Sequence, residues 1–151
     1  ITITIISGIN GKFPSMFKMS IMNIPFEAVL STGSNGTILT SKIYNLIMSK
    51  IKDSRYRLEK APGVQIQDIC GGKFKVLGVL RVPSKIISAC GTKSVTEPIT
   101  YYVVDEAAVD CVLGAPGINS CDMELIFQRL KSVIVFKNRD PPVEIALLKD
   151  E

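Results

Sequence analysis

Ser31, Thr32 and Gly33 stand at the end of an apolar run, within Phe26 to Thr37 (FEAVLSTGSNGT), and a second apolar segment, Ile38-Leu39, lies directly behind them. A hydroxyl carried on such a loop becomes a nucleophile only beside a base, and the chain contains no histidine. Nor does a serine hydroxyl ionise near neutral pH, so Ser31 offers no general base of its own. The four cysteines, Cys70, Cys90, Cys111 and Cys121, fall at wide, unequal spacings without a Cys-x-x-Cys pair. That pattern disfavours zinc, calls for no metal or cofactor, and fits reduced thiols in an intracellular, cytoplasmic protein. Lys42, Lys50, Lys52, Arg55, Arg57 and Lys60 crowd one region, which raises a monomeric β-domain with a basic nucleic-acid surface as one reading. No aromatic stacking pattern accompanies them, so a solvated helix face and its trailing loop is preferred and nucleic acid is disfavoured. Asn35-Gly36-Thr37 has the spacing of a glycosylation acceptor but reads as turn chemistry.

The 151 residues suffice for one domain, 1–151, which would bury about two-thirds of its unfolded surface. Hydrophobic residues at 46% against 21% charged argue against disorder. No apolar run approaches the roughly 18 residues of a membrane span. The net charge of +4 is a modest bias toward anionic partners. A first residue of Ile1 rather than Met suggests a piece excised from a longer protein.

The elements that must position the Ser31 loop are mostly strands. Ile1 to Ile6 alternates apolar with β-branched polar residues, and Ser7 to Gly11 is a turn cluster. Phe17 to Met22 and Phe26 to Leu30 read as a hairpin about a tight turn at Asn23-Ile24-Pro25. After Ser34-Asn35-Gly36 the chain reverses into a strand at Thr37 to Leu39. From Ser41 the period becomes helical, with Ile43, Leu46, Ile47 and Ile51 on one face and Thr40 or Ser41 as N-cap. Val64 to Ile69 and Phe74 to Leu80 form a second hairpin whose tip is Cys70-Gly71-Gly72-Lys73. Arg81 to Ile87 extends the sheet, and Ile99 to Asp105 is a further strand that Pro98 enters. Val109 to Gly114 is a short buried strand, and Asn119 to Asp122 caps a short helical turn. Met123 to Phe127, a reversal at Gln128 to Lys131, Ser132 to Phe136, a turn at Asn138 to Pro142 and a last strand at Val143 to Leu148 complete the chain.

Ala28-Val29-Leu30-Ser31-Thr32-Gly33-Ser34 resembles the active-site signature of retropepsin-like aspartic proteases of retroviruses and gypsy-type retrotransposons, in which an apolar strand delivers Asp-Thr-Gly or Asp-Ser-Gly. Here Ser31 holds the Asp position. Val109 to Gly114 resembles the second signature, an apolar strand that crosses behind the active-site loop and fixes it through Leu113 and Gly114. Ala115 departs from the family's usual Arg or Asn. The hairpin tip Ile69, Cys70, Gly71 and Gly72 takes the place of the flap that closes over a bound peptide. The resemblance covers about residues 15–137.

The resemblance implies a mostly β, half-barrel acid-protease fold with one or two short helices and an active-site loop completed at a homodimer interface. A terminal strand joining an intersubunit sheet is implied too, as is Thr32 bonding across the two-fold axis while Gly33 lets the backbones approach. With serines in place of both carboxylates, the expected function is a pseudoprotease, a homodimerisation and peptide-binding scaffold. The alternative is an active aspartic endopeptidase silenced by an engineered change at Ser31.

Overall fold

The computed structural model describes residues 1–6, 16–51, 56–127, 132–139 and 141–147. Period-two burial sets most of its strands. In β1 (Thr2–Ile5) Ile3 and Ile5 are buried. In β2 (Met16–Ile21) Phe17, Met19 and Ile21 turn inward while Lys18 faces solvent. A two-residue turn, Met22-Asn23, then leads into β3 (Ile24–Leu30). Both turn residues have positive φ, 50° and 67°, as a tight hairpin matching strand twist requires. The turn therefore sits earlier than Asn23-Ile24-Pro25: Ile24 is buried and paired with Ile21, so its side chain is worth more in the strand than in a turn.

β4 (Ile38–Thr40) runs into α1 (Ser41–Lys50). Ile43 and Ile47 pack inward, but Leu46 is 45% exposed, so the apolar stripe is narrower than its spacing implied. Thr40 occupies the N-cap position without making the cap bond, and its Oγ1 is buried with no hydrogen-bond partner among the described residues. An N-cap threonine ordinarily stabilises its helix, but here the hydroxyl is desolvated for no return. Thr40→Val should therefore raise stability, by about 1 kcal/mol in urea unfolding, where a working cap would lose that much.

β5 (Gln65–Asp68) and β6 (Lys73–Phe74) form a short hairpin, paired at Ile66 with Phe74 and Gln67 with Lys73. The following β7 (Val76–Ile87) leaves it for the barrel and pairs along its length with β8 (Ser94–Val104). β8 begins well before the expected Ile99, and Pro98 lies inside it, opposite Pro83. The two prolines face one another where neither strand asks the other for an N–H, so the ladder continues through them. β9 (Cys111–Leu113) is followed by α2 (Ala115–Ser120), which starts with Pro116 in its first turn and occupies the segment before the expected cap at Asn119 to Asp122. β10 (Met123–Phe127), β11 (Ser132–Phe136) and β12 (Val143–Ala146) make an antiparallel sheet. The expected reversal at Gln128 to Lys131 lies outside the described residues, as do Lys52 and Arg55 of the basic region.

Six strands close a barrel in the order β2-β3-β9-β4-β8-β7, so the half-barrel expected from sequence joins up through the β2–β7 pairing. One apolar cluster fills it, including Phe17, Leu39, Leu80, Tyr101 and Leu113. A second lies on the outer face of β3, β4 and β9, where Val29, Ile38 and Val112 meet Ile3, Ile5 and Ile66. The described residues are thus mostly β, with two short helices among them. Among the described residues no helix is long and apolar enough to cross a membrane.

Candidate functional site

β9 is the stave that holds the Ser31 loop. It lies parallel to β3, with Ala28, Val29 and Leu30 opposite Cys111, Val112 and Leu113, and antiparallel to β4 on its other side. The Ser31 N–H continues this ladder, donating to the Leu113 carbonyl at 2.9 Å. The loop then folds on itself. Ser31 Oγ and Ser34 Oγ share a hydrogen bond of 2.8 Å, and the Ser34 N–H donates to the Ser31 carbonyl at 3.3 Å. Both serine side chains are buried, whereas Thr32 and Gly33 are exposed at the loop's tip.

The strand–helix junction after β9 supports the loop from beneath. The Gly114 N–H donates to Thr37 Oγ1 at 3.1 Å and the Ala115 N–H to the Ser34 carbonyl at 2.8 Å. Gly114 has no room for a side chain: a Cβ would fall 2.0 Å from the Gly36 carbonyl oxygen and 2.8 Å from that of Ser34. The support expected of Leu113 and Gly114 is therefore made by backbone contact. Spacing within the sequence pointed to neither Ser34 nor Thr37 as a partner, since Thr37 meets Gly114 from 77 residues away.

The hairpin tip brings Ile69, Cys70, Gly71 and Gly72 together at the surface. Asp68 Oδ1 accepts from the Cys70 and Gly72 N–H groups, each at 2.9 Å, and Gly71 takes a φ of 95° that favours glycine. Between hairpin and loop lies β1, which pairs in parallel with β5. Its opposite edge meets Ser34 and Asn35, where the Asn35 N–H donates to the Thr4 carbonyl at 3.3 Å and the Thr4 N–H to Asn35 Oδ1 at 2.7 Å. Both edges of β1 are engaged within its own chain, which replaces the expectation that the terminal strand joins an intersubunit sheet. Asn35, read as turn chemistry alone, is also the loop's contact to this strand.

Cys90 stands apart, in the turn between β7 and β8. Its Sγ lies 2.9 Å from Thr92 Oγ1 and 3.5 Å from Ser88 Oγ, and these hydroxyls stabilise the thiolate and lower its pKa to about 7. Burial pushes the thiols of Cys111 and Cys121 the other way. Because the thiolate is the reactive form, iodoacetamide should modify Cys90 at neutral pH long before Cys111 or Cys121, at a rate rising with pH up to and levelling above about 7. Peptide mapping by mass spectrometry reads this directly.

No protein-family model matches the chain, and no curated protein matches it by sequence. Solved structures do match. The retroviral protease-like domain of Ddi1 from Leishmania major superposes with a TM-score of 0.60 at 13% identity, over 89% of this chain and 93% of that one. The chain has a retropepsin-like fold. The protease of EIAV, solved with the inhibitor HBY-793, matches at a TM-score of 0.48 and 17% identity, over 80% of this chain and 99% of that one. A retropepsin-like aspartic protease from Rickettsia conorii matches at 0.45 and 10% identity, over 88% of this chain and 84% of that one. Within the retropepsin-like fold of this chain, the loop between β3 and β4 carries Ser31, and Ser31 to Thr37 contains no carboxylate.

Proposed function

We propose that this retropepsin-like domain is catalytically silent and serves as a homodimerisation and peptide-binding scaffold. One observation carries the reading: the polar side chain at the base of the loop is the Ser31 hydroxyl, committed at 2.8 Å to Ser34 Oγ, with no carboxylate in the loop. Aspartic-protease chemistry needs two carboxylates sharing one proton, one activating water and the other protonating the leaving amine. Two hydroxyls do neither. A second copy would meet this one at the exposed Thr32-Gly33 tip, without the repulsion that paired carboxylates bring. An extended peptide would bind as an added strand between the loop and the β5–β6 hairpin, which acts as the flap. Sedimentation velocity together with incubation on a denatured polypeptide between mildly acidic and neutral pH tests this. A dimer at micromolar concentration and an uncut substrate are expected. Cleavage by the unaltered chain, or a monomer throughout the micromolar range, overturns the proposal.

A further inference from the structure

Residues 1–6 are held on two sides by the elements that the proposed function makes the floor and lid of a peptide site. On the lid side, β1 runs in register with β5 from Thr2 opposite Gln65 to Ile5 opposite Asp68. The Gln65 N–H donates to the Ile1 carbonyl at 2.9 Å and the Ile69 N–H to the Ile5 carbonyl at 3.1 Å. On the floor side, Asn35 exchanges hydrogen bonds with Thr4, and its Nδ2 donates to the Thr2 carbonyl at 3.4 Å. The Ile6 N–H donates to Ser34 Oγ at 2.8 Å, and Ser34 Oγ is the atom bonded to Ser31. The strand therefore ends one hydroxyl away from the centre of the candidate site.

The fit extends to side chains. Ile3 and Ile5, 3% and 0% exposed, pack with Val29, Ile38, Ile66 and Val112. A Cβ on Gly36 would stand 2.6 Å from Ile3 Cγ2, and one on Gly33 2.8 Å from Ile6 Cδ1. Glycine at both loop positions leaves the space that the strand fills.

We infer that Ile1 to Ile6 is an internal ligand: the chain occupies its own extended-peptide groove, and a partner peptide binds by displacing this strand. This rests on the peptide-binding reading above. The partner class follows from what the groove now holds, an extended segment with apolar β-branched residues at alternate positions and small neutral ones between them. A tethered ligand acts at an effective concentration in the millimolar range for a short linker, so it lowers the apparent affinity of any free competitor.

The test uses the full chain and a fluorescent peptide of sequence Ile-Thr-Ile-Thr-Ile-Ile with a solubilising lysine tail, followed by anisotropy. Two variants release the strand: Ile3→Asp with Ile5→Asp, which puts charge where the apolar face is buried, and Thr4→Pro, which removes the N–H donated to Asn35 and restricts the backbone at residues 3 and 4. Both should bind the probe at least tenfold more tightly than the unaltered chain, and adding Asn35→Ala should weaken that gain. If the unaltered chain binds as tightly as a folded released variant, the internal-ligand inference falls while the peptide groove stands. If released variants that melt cooperatively bind no probe, both readings fall. Should neither variant fold, hydrogen exchange on the unaltered chain decides. Excess probe should speed exchange at the Thr4 and Ile6 amides, and unchanged exchange overturns the inference.

Discussion

Gly114→Ala should destabilise the domain by about 3 kcal/mol or more, the upper range for forcing an added methyl group into a packed interior. The backbone conformation is no obstacle, because Gly114 has a φ of −91° and a ψ of −179°, which alanine adopts freely. The penalty is steric. The added Cβ meets the Gly36 carbonyl oxygen at 2.0 Å, the Gly36 carbonyl carbon at 2.8 Å and the Ser34 carbonyl oxygen at 2.8 Å, and none of these is the end of a flexible side chain. Relief requires the Ser34 to Gly36 segment to move away from the β9–α2 junction, breaking the bonds from Ala115 N–H to Ser34 and from Gly114 N–H to Thr37. Urea unfolding measures the loss, and the loop should lose hydrogen-exchange protection before the barrel does. A variant within 1 kcal/mol of its parent, on the about 0.5 kcal/mol scale of harmless surface changes, would mean that the loop is not clamped this way.

Ser31→Asp alone should leave an added polypeptide uncut, although it supplies the missing carboxylate. In a symmetric pair the two new acids would share a proton and divide the base and acid roles, each worth about 10²–10⁴ in rate. On the internal-ligand proposal, however, residues 1–6 fill the groove, with Ile6 bonded to Ser34 beside residue 31. Combining Ser31→Asp with Ile3→Asp and Ile5→Asp removes both obstacles and should produce cleavage with a mildly acidic optimum. Turnover by Ser31→Asp alone would show an endopeptidase silenced at one residue, with a strand that leaves readily. An inert combined variant that still folds and dimerises would place further losses elsewhere in the site. Mass spectrometry of the digested polypeptide separates these results.

Local pattern was legible where a residue's burial depends on its immediate neighbours. The strand into Ser31, the helix from Ser41, the buried strand ending at Leu113, and the bounds of β10 and β11 all follow from apolar period and turn composition. The misplaced boundaries have tertiary causes. Asn-Ile-Pro is the better turn by composition, yet the burial of Ile24 moved the reversal to Met22-Asn23. Pro98 marks a strand entry in isolation, but opposite Pro83 it sits inside a ladder. The candidate site was legible only in part. Alternation in residues 1–6 says that one face is covered without saying by what, and the covering side chains, Val29, Ile38, Ile66 and Val112, lie 24 to 109 residues away.

The placement of β9 between β3 and β4 also bears on how the molecule comes into being. β3 and β4 are near neighbours in the chain, yet they are joined only through a stave encoded some 80 residues later, as the Ala28–Cys111 pairing shows. Such distant contacts incur their loop-closure entropy before they return any stabilisation, which places folding among the slower, millisecond-to-second class of small β proteins. A nascent chain that has not yet emerged past Leu113 has no carbonyl to receive the Ser31 amide. The bond that ties Ser31 to β9 therefore forms only after synthesis has passed Leu113.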